Sequence, residues 1–173
     1  MALRRMVRTL AILLVLTANV SCDQLSKRYV RNQVGTGETI SFLDNHFIVT
    51  RVENTGAFLS LGNSLPRMWK TILLSIIPLS ILIAAGLAVF RYHHIDKRTI
   101  TGICFVLGGG IGNIFDRILY GSVTDFLYLD LILFRTGVFN MADVSIMTGL
   151  FIIIAATYCR PAPRLTGKQQ PKH

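Results

Sequence analysis

The chain has 173 residues, 51% hydrophobic and 16% charged, against roughly a quarter charged in ordinary soluble domains. Mean hydropathy is +0.52, the balance of a chain whose solvent is partly lipid, and the length suits one domain. A net charge of +9 suggests nucleic acid only if the cations do not sit at the ends of apolar spans.

In chain order, Arg4, Arg5 and Arg8 precede an apolar run from about Thr9 to Val20 that continues as a more polar helix end to Lys27. This is the first predicted membrane span, about 9–27, since roughly 20 apolar residues cross the hydrocarbon core. The same features, followed by Cys22, also resemble a cleavable signal peptide, even a lipoprotein one. Against that reading, Asn19 stands where a lipobox wants an aliphatic residue, and apolar spans continue after Cys22. An uncleaved first helix fits better.

An outer segment of about 28–67 follows. Within it Thr39–Val52 is rich in β-branched and aromatic residues, which predicts two or three short strands with Asp44-Asn45 as a turn. The second span, about 68–90, is the most apolar and contains Pro78, which neighbouring helices can accommodate. The third is about 99–119. A second outer segment, about 120–139, carries Leu127, Leu129, Leu131 and Leu133 with Tyr128 and Phe134. It is too apolar for a simple exposed loop and is expected to lie in the interface or dock over the bundle. The fourth span is about 140–158. Residues 1–160 form the membrane unit, and 161–173 read as a disordered basic tail.

The N-terminus, the loop Arg91–Arg98 and the tail from Arg160 together hold ten basic residues and one acid, Asp96, so they account for the whole net charge. Placed on one side, they make a positive-inside pattern with both termini cytoplasmic. The basicity is then explained without nucleic acid. Trp69, Tyr120 and Tyr128 fall near the opposite boundary, as an aromatic belt does. The three cysteines, Cys22, Cys104 and Cys159, form no CxxC or Cys/His cluster, and the four histidines form no HExxH. A disulfide framework, a zinc site and a metallopeptidase are unsupported, and neither metal nor cofactor is expected.

Charged groups at membrane depth are costly and usually functional. Four acids qualify, Asp23, Asp116, Asp125 and Asp143, and the topology puts all four near the outer leaflet. Asp125 follows the third span and Asp143 opens the fourth, so antiparallel neighbours can bring them together. Two carboxylates sharing a site cannot both ionise cheaply, which supplies a base for water and an acid for a leaving amide nitrogen. The plainer reading makes them loop or cap acids, Asp143 capping the fourth helix. Asp23 and Lys27 are spaced i, i+4. Asn113, Asp116 and Arg117 share a helix face, with Arg117 offsetting the acids or binding a lipid phosphate. Asn54 and Asn140 can donate to a peptide carbonyl. Gly108, Gly109, Gly110 and Gly112 bare a helix surface for a close neighbour.

Five blocks in order carry a resemblance: Asp23-Gln24-x-x-Lys27; Asn54-Thr55-Gly56-Ala57-Phe58; Gly109 to Arg117; Val123-Thr124-Asp125-Phe126; and Phe139-Asn140-Met141-Ala142-Asp143. On these the chain resembles the lipoprotein signal peptidases (type II signal peptidases) of bacteria over nearly its whole length. The resemblance implies an all-α membrane fold of four transmembrane helices, with a small extracytoplasmic β-cradle and an outer amphipathic helix or loop. It implies an aspartic endopeptidase with Asp125 and Asp143 catalytic and Asp23, Lys27, Asn54, Gly56, Asn113, Asp116, Arg117 and Asn140 lining or supporting the site. The implied substrate is a diacylglyceryl-modified prolipoprotein, cut just before its lipidated cysteine. Such an enzyme sits in the inner membrane among its lipids, active site toward the outer leaflet, and a monomer suffices. The rivals are a proton or ion transporter and a lipid-binding scaffold. Acids at one face of the membrane and no visible inverted repeat count against transport.

Overall fold

The computed structural model describes residues 2–57, 62, 64–92, 94–131 and 133–158. The expected tail at 161–173 lies outside them, as do Cys159, His93, His173 and Phe58 of the second block. Among the described residues, four helices are long and apolar enough to cross a membrane: α1 (Ala2–Gln33), α2 (Arg67–Arg91), α3 (Lys97–Tyr120) and α4 (Met141–Tyr158). The predicted spans fall on them, but α1 reaches well beyond its expected 9–27. No Gly or Pro interrupts it before Gly35, and at ~1.5 Å rise per residue its 32 residues outrun a hydrocarbon core of ~30 Å. The surplus is used: Val30 and Val34 are buried with Phe126, fastening the outer sheet to the end of α1.

Pro78 leaves its mark on α2. Proline lacks the N–H for the i→i−4 ladder and crowds the preceding turn. The helix answers with a π turn at Ile72–Ile76 before resuming as α-helix over Ile77–Arg91. α3 is delimited by its sequence. The Asp96 carboxylate accepts from the backbone N–H groups of Arg98 and Thr99 at 2.9 and 3.1 Å, and Gly121, with φ 74°, closes the other end.

The glycine run on α3 sets the packing at the level of the acids. Each glycine faces a particular neighbour: Gly108 meets Asn19 and Gly112 meets Asp23, both on α1; Gly109 meets the Ala142 carbonyl on α4; Gly110 meets Leu82 on α2. A Cβ at Gly108 would lie 2.6 Å from that of Asn19. Bare backbone here lets three helices converge on α3, the small-residue packing that apolar surroundings favour.

The sheet is antiparallel in the order β1-β2-β3, with β1 (Thr39–Phe42), β2 (Phe47–Asn54) and β3 (Val123–Leu129). The β1–β2 connection carries Leu43, Asp44 and Asn45 at φ 52°, 54° and 69°, consistent with the expected turn. Of the apolar outer piece, implied as an amphipathic helix or loop, Val123–Leu129 form the third strand, and the described residues from Asp130 to Arg135 lie outside any helix. Val123, Thr124, Asp125 and Phe126 are all buried, so both strand faces are covered. A strand buried on both faces reads as a nearly continuous apolar run.

Candidate active site

The chain folds back after β3. Phe139 pairs with Leu127 across an antiparallel bridge, donating its N–H to the Leu127 carbonyl at 2.8 Å and accepting from the Leu127 N–H at 2.8 Å. That return places Asn140 beside Asp125 and starts α4 with Asp143 on its first turn. Asn140 Oδ1 accepts from the Asp143 N–H at 3.0 Å and the Asn140 N–H donates to Asp143 Oδ2 at 3.2 Å, a reciprocal cap. The capping role considered for Asp143 is therefore real, and it leaves the other carboxylate oxygen for other work.

Asp125 and Asp143 line one cavity of about 350 Å³. Asn54, Asn113, Arg117 and Asn140 share its wall, and Leu82 and Ile146 add to its apolar part. Asp125 is buried and accepts from Asn140 Nδ2 at 2.6 Å on one oxygen and from Asn54 Nδ2 at 2.9 Å on the other. Asp143 Oδ1 accepts from Asn113 Nδ2 at 2.9 Å. Burial pushes the Asp125 carboxyl up to about 6, with the Asp143 charge adding to the rise, while the Asn54 and Asn140 hydrogen bonds restrain it. The two asparagine amides thus serve Asp125 instead of standing free for a peptide carbonyl, as the sequence suggested they might donate. Gly56 joins two residues of this wall: its N–H donates to Asn54 Oδ1 at 2.9 Å, and Arg117 Nη2 donates to its carbonyl at 2.9 Å.

Asp23, Lys27 and Asp116 form a second group behind the first, all at 0% exposure. Lys27 Nζ lies 2.8 Å from Asp23 Oδ2 and 3.1 Å from Asp116 Oδ2. Gln24 Nε2 donates to Asp116 Oδ1 at 3.2 Å, and the Ala142 N–H donates to Asp23 Oδ1 at 2.9 Å. Asn113 links the two groups: Lys27 Nζ donates to Asn113 Oδ1 at 2.9 Å, and Asn113 in turn donates to Asp143. The shared face expected for Asn113, Asp116 and Arg117 splits accordingly, with Asn113 and Arg117 on the cavity and Asp116 toward α1.

Sequence reasoning passed over Arg31, which stands 2.9 Å from Asp116 Oδ2 and donates from Nε to Thr124 Oγ1 at 2.8 Å. Its spacing was the available signal, four residues after Lys27 and eight after Asp23 on one helix face. Glu53 was missed as well and accepts from Ser122 and Thr124.

The comparisons with known proteins bear on this geometry directly. The signal peptidase (SPase) II family model matches residues 13–159. The chain belongs to the signal peptidase II family. It is therefore a peptidase of the aspartic type. A lipoprotein signal peptidase of Gloeobacter violaceus is 37% identical over 142 residues, covering 80% of this chain and 76% of that one. One from Maridesulfovibrio salexigens is 34% identical over 79% of this chain and 87% of its own. One from Streptococcus pneumoniae is 30% identical over 79% and 85%. A bacterial membrane enzyme solved by the in meso method has the same fold, with a TM-score of 0.79 over 92% of this chain and 94% of the other at 24% identity. This member of the family is a multi-pass membrane protein, with Asp23, Asp116 and Asp143 on its helices and Asp125 on strand β3.

Proposed function

We propose that Asp125 and Asp143 are the catalytic pair of an endopeptidase that removes the signal peptide from diacylglyceryl-modified prolipoproteins, cutting just before the lipidated cysteine. The observation that carries this reading is the shared cavity: two carboxylates held by neutral amides open onto one partly apolar space. Asp125, with its raised affinity for a proton, is the acid. Asp143 is the base. Asp143 takes a proton from water as the water oxygen bonds to the scissile carbonyl carbon. Asp125 gives its proton to the amide nitrogen as the C–N bond breaks, leaving a new carboxyl on the signal peptide and a free amine on the lipidated cysteine. Asn54, Asn113 and Asn140 hold the two carboxylates through the cycle, and Arg117 braces the Gly56 turn.

The substrate's acyl chains hold its cysteine at the membrane surface, so the scissile bond and the aspartates must share a depth. The clustering of basic residues supports an inner-membrane orientation with both termini cytoplasmic and the pair toward the outer leaflet. One copy of the chain supplies every residue named, so a monomer suffices, surrounded by lipid along its apolar faces.

The test is a cleavage assay with the purified protein and a prolipoprotein, diacylated in one tube and unmodified in another, with a chelator control. Cleavage of the lipidated form alone, unaffected by chelator, is expected. Equal cleavage of the unmodified form would remove the lipid from substrate recognition, and inhibition by chelator would remove the metal-free mechanism.

A further inference from the structure

Successive side chains on a strand point to opposite faces. On β3, Asp125 reaches forward into the cavity and Thr124, fully buried, reaches to the rear. The paired strand repeats the division. Asn54 donates to Asp125 in front, and Glu53, the register partner of Thr124, accepts from it behind at 3.2 Å on both carboxylate oxygens. The ladder is irregular at this spot. Leu127 pairs with Val49 but Asp125 with Val52, so one extra residue of β2 bulges beside the aspartate. A bulge interrupts the backbone hydrogen bonds that would otherwise hold a strand residue in place.

The rear of the strand compensates. Thr124 Oγ1 accepts from Arg31 Nε at 2.8 Å, which directs the hydroxyl proton to Glu53. Ser122 Oγ donates to Glu53 Oε2 at 2.8 Å, and Arg51 Nε stands 3.2 Å from Glu53 Oε1. Arg31 is itself fixed, with Tyr120 stacked 4.1 Å away and Asp116 on its other side. Thr124 thus ties β3 to α1 through one hydrogen bond and to β2 through another, one residue from Asp125 and beside the bulge.

We propose that Thr124, clamped between Arg31 and Glu53 on the rear of β3, is a positioning residue that sets the placement of the Asp125 carboxylate. The inference rests on Asp125 belonging to the catalytic pair. Thr124 touches no substrate; it acts through the backbone it shares with the aspartate. Displacement of a reacting group by about 1 Å can cost on the order of a hundredfold in rate, so a loosened clamp lowers turnover before it lowers binding.

The experiment compares Thr124→Val, which keeps the shape and loses the hydroxyl, with Thr124→Ser, which keeps the hydroxyl. Both are measured for kcat, KM and thermal unfolding beside Asp125→Asn. The valine variant is expected to lose about tenfold or more in kcat with KM nearly unchanged, and serine to recover most of that loss. Glu53→Ala, altered at the partly exposed rim of the sheet, removes the acceptor without touching the core and is expected to give a smaller loss of the same kind. Wild-type kcat in both Thr124→Val and Glu53→Ala, or equal losses in the valine and serine variants, would overturn the clamp. If Asp125→Asn is inactive in that case, the catalytic pair stands and only the clamp falls. Normal turnover by Asp125→Asn would overturn both.

Discussion

Four aspartates lie at one level of this molecule, and the structure treats them as two pairs. Asp23 and Asp116 are fully buried against Lys27, with Arg31 beside Asp116. Asp125 and Asp143 are held by asparagine amides and face a cavity. A cation against a buried carboxylate holds the two helices that carry them together, because removing either partner leaves the other buried without its counterpart. An amide donor steadies a carboxylate by hydrogen bonding without supplying the opposite charge. The rear pair is suited to holding α1, α3 and α4 in register, and the front pair to chemistry. Asn113 joins them, touching Lys27 with its oxygen and Asp143 with its nitrogen.

The largest effect expected from this contrast is on stability, at the rear. Lys27→Met leaves Asp23 without its cation in a fully buried site, a loss of about 3–5 kcal/mol for breaking a buried ion pair. Thermal unfolding in detergent should show a midpoint lowered by many degrees, and Asp23→Leu combined with Lys27→Met should recover part of it. A Lys27→Met variant as stable as the wild type would erase the distinction between the pairs.

A smaller effect, at the front, is a shift in pH dependence. Asp125 as the acid must be protonated, so kcat/KM should fall as pH rises through about 6. The Asn54 hydrogen bond favours the ionised form. Asn54→Ala removes it, so the proton is held more tightly and the falling limb should move to higher pH. The shift is read from the full pH profile of kcat/KM; a limb moving to lower pH would contradict the assignment of the proton.

Much of this was legible before any coordinates. Apolar runs mark the four long helices, and the acids near their ends mark the candidate site. The division of those acids was not legible, because it depends on contacts far apart in the chain. Gly112 lets α1 approach so that Asp23 and Lys27 meet Asp116, and the return of Phe139 against Leu127 puts Asn140 on Asp125. Neither contact has a local pattern. Strand β3 was not legible for a related reason. An apolar stretch bounded by polar residues suits an interfacial helix or loop as well as a strand covered on both faces, and only its pairing with β2 decides. Arg31 shares a helix face with Asp23 and Lys27, but that spacing alone does not tell a paired arginine from a solvated one.

The measurement that tests the central claim most directly replaces each of the four aspartates in turn with asparagine and reads two quantities side by side: cleavage of a diacylated prolipoprotein and thermal unfolding. Asp125→Asn and Asp143→Asn should unfold near the wild-type temperature and cleave nothing. Asp23→Asn and Asp116→Asn should unfold at lower temperature and, wherever they remain folded, still cleave. Full activity in either front variant, or a wild-type unfolding temperature with abolished cleavage in both rear variants, would contradict the division of this site into a structural pair and a catalytic one.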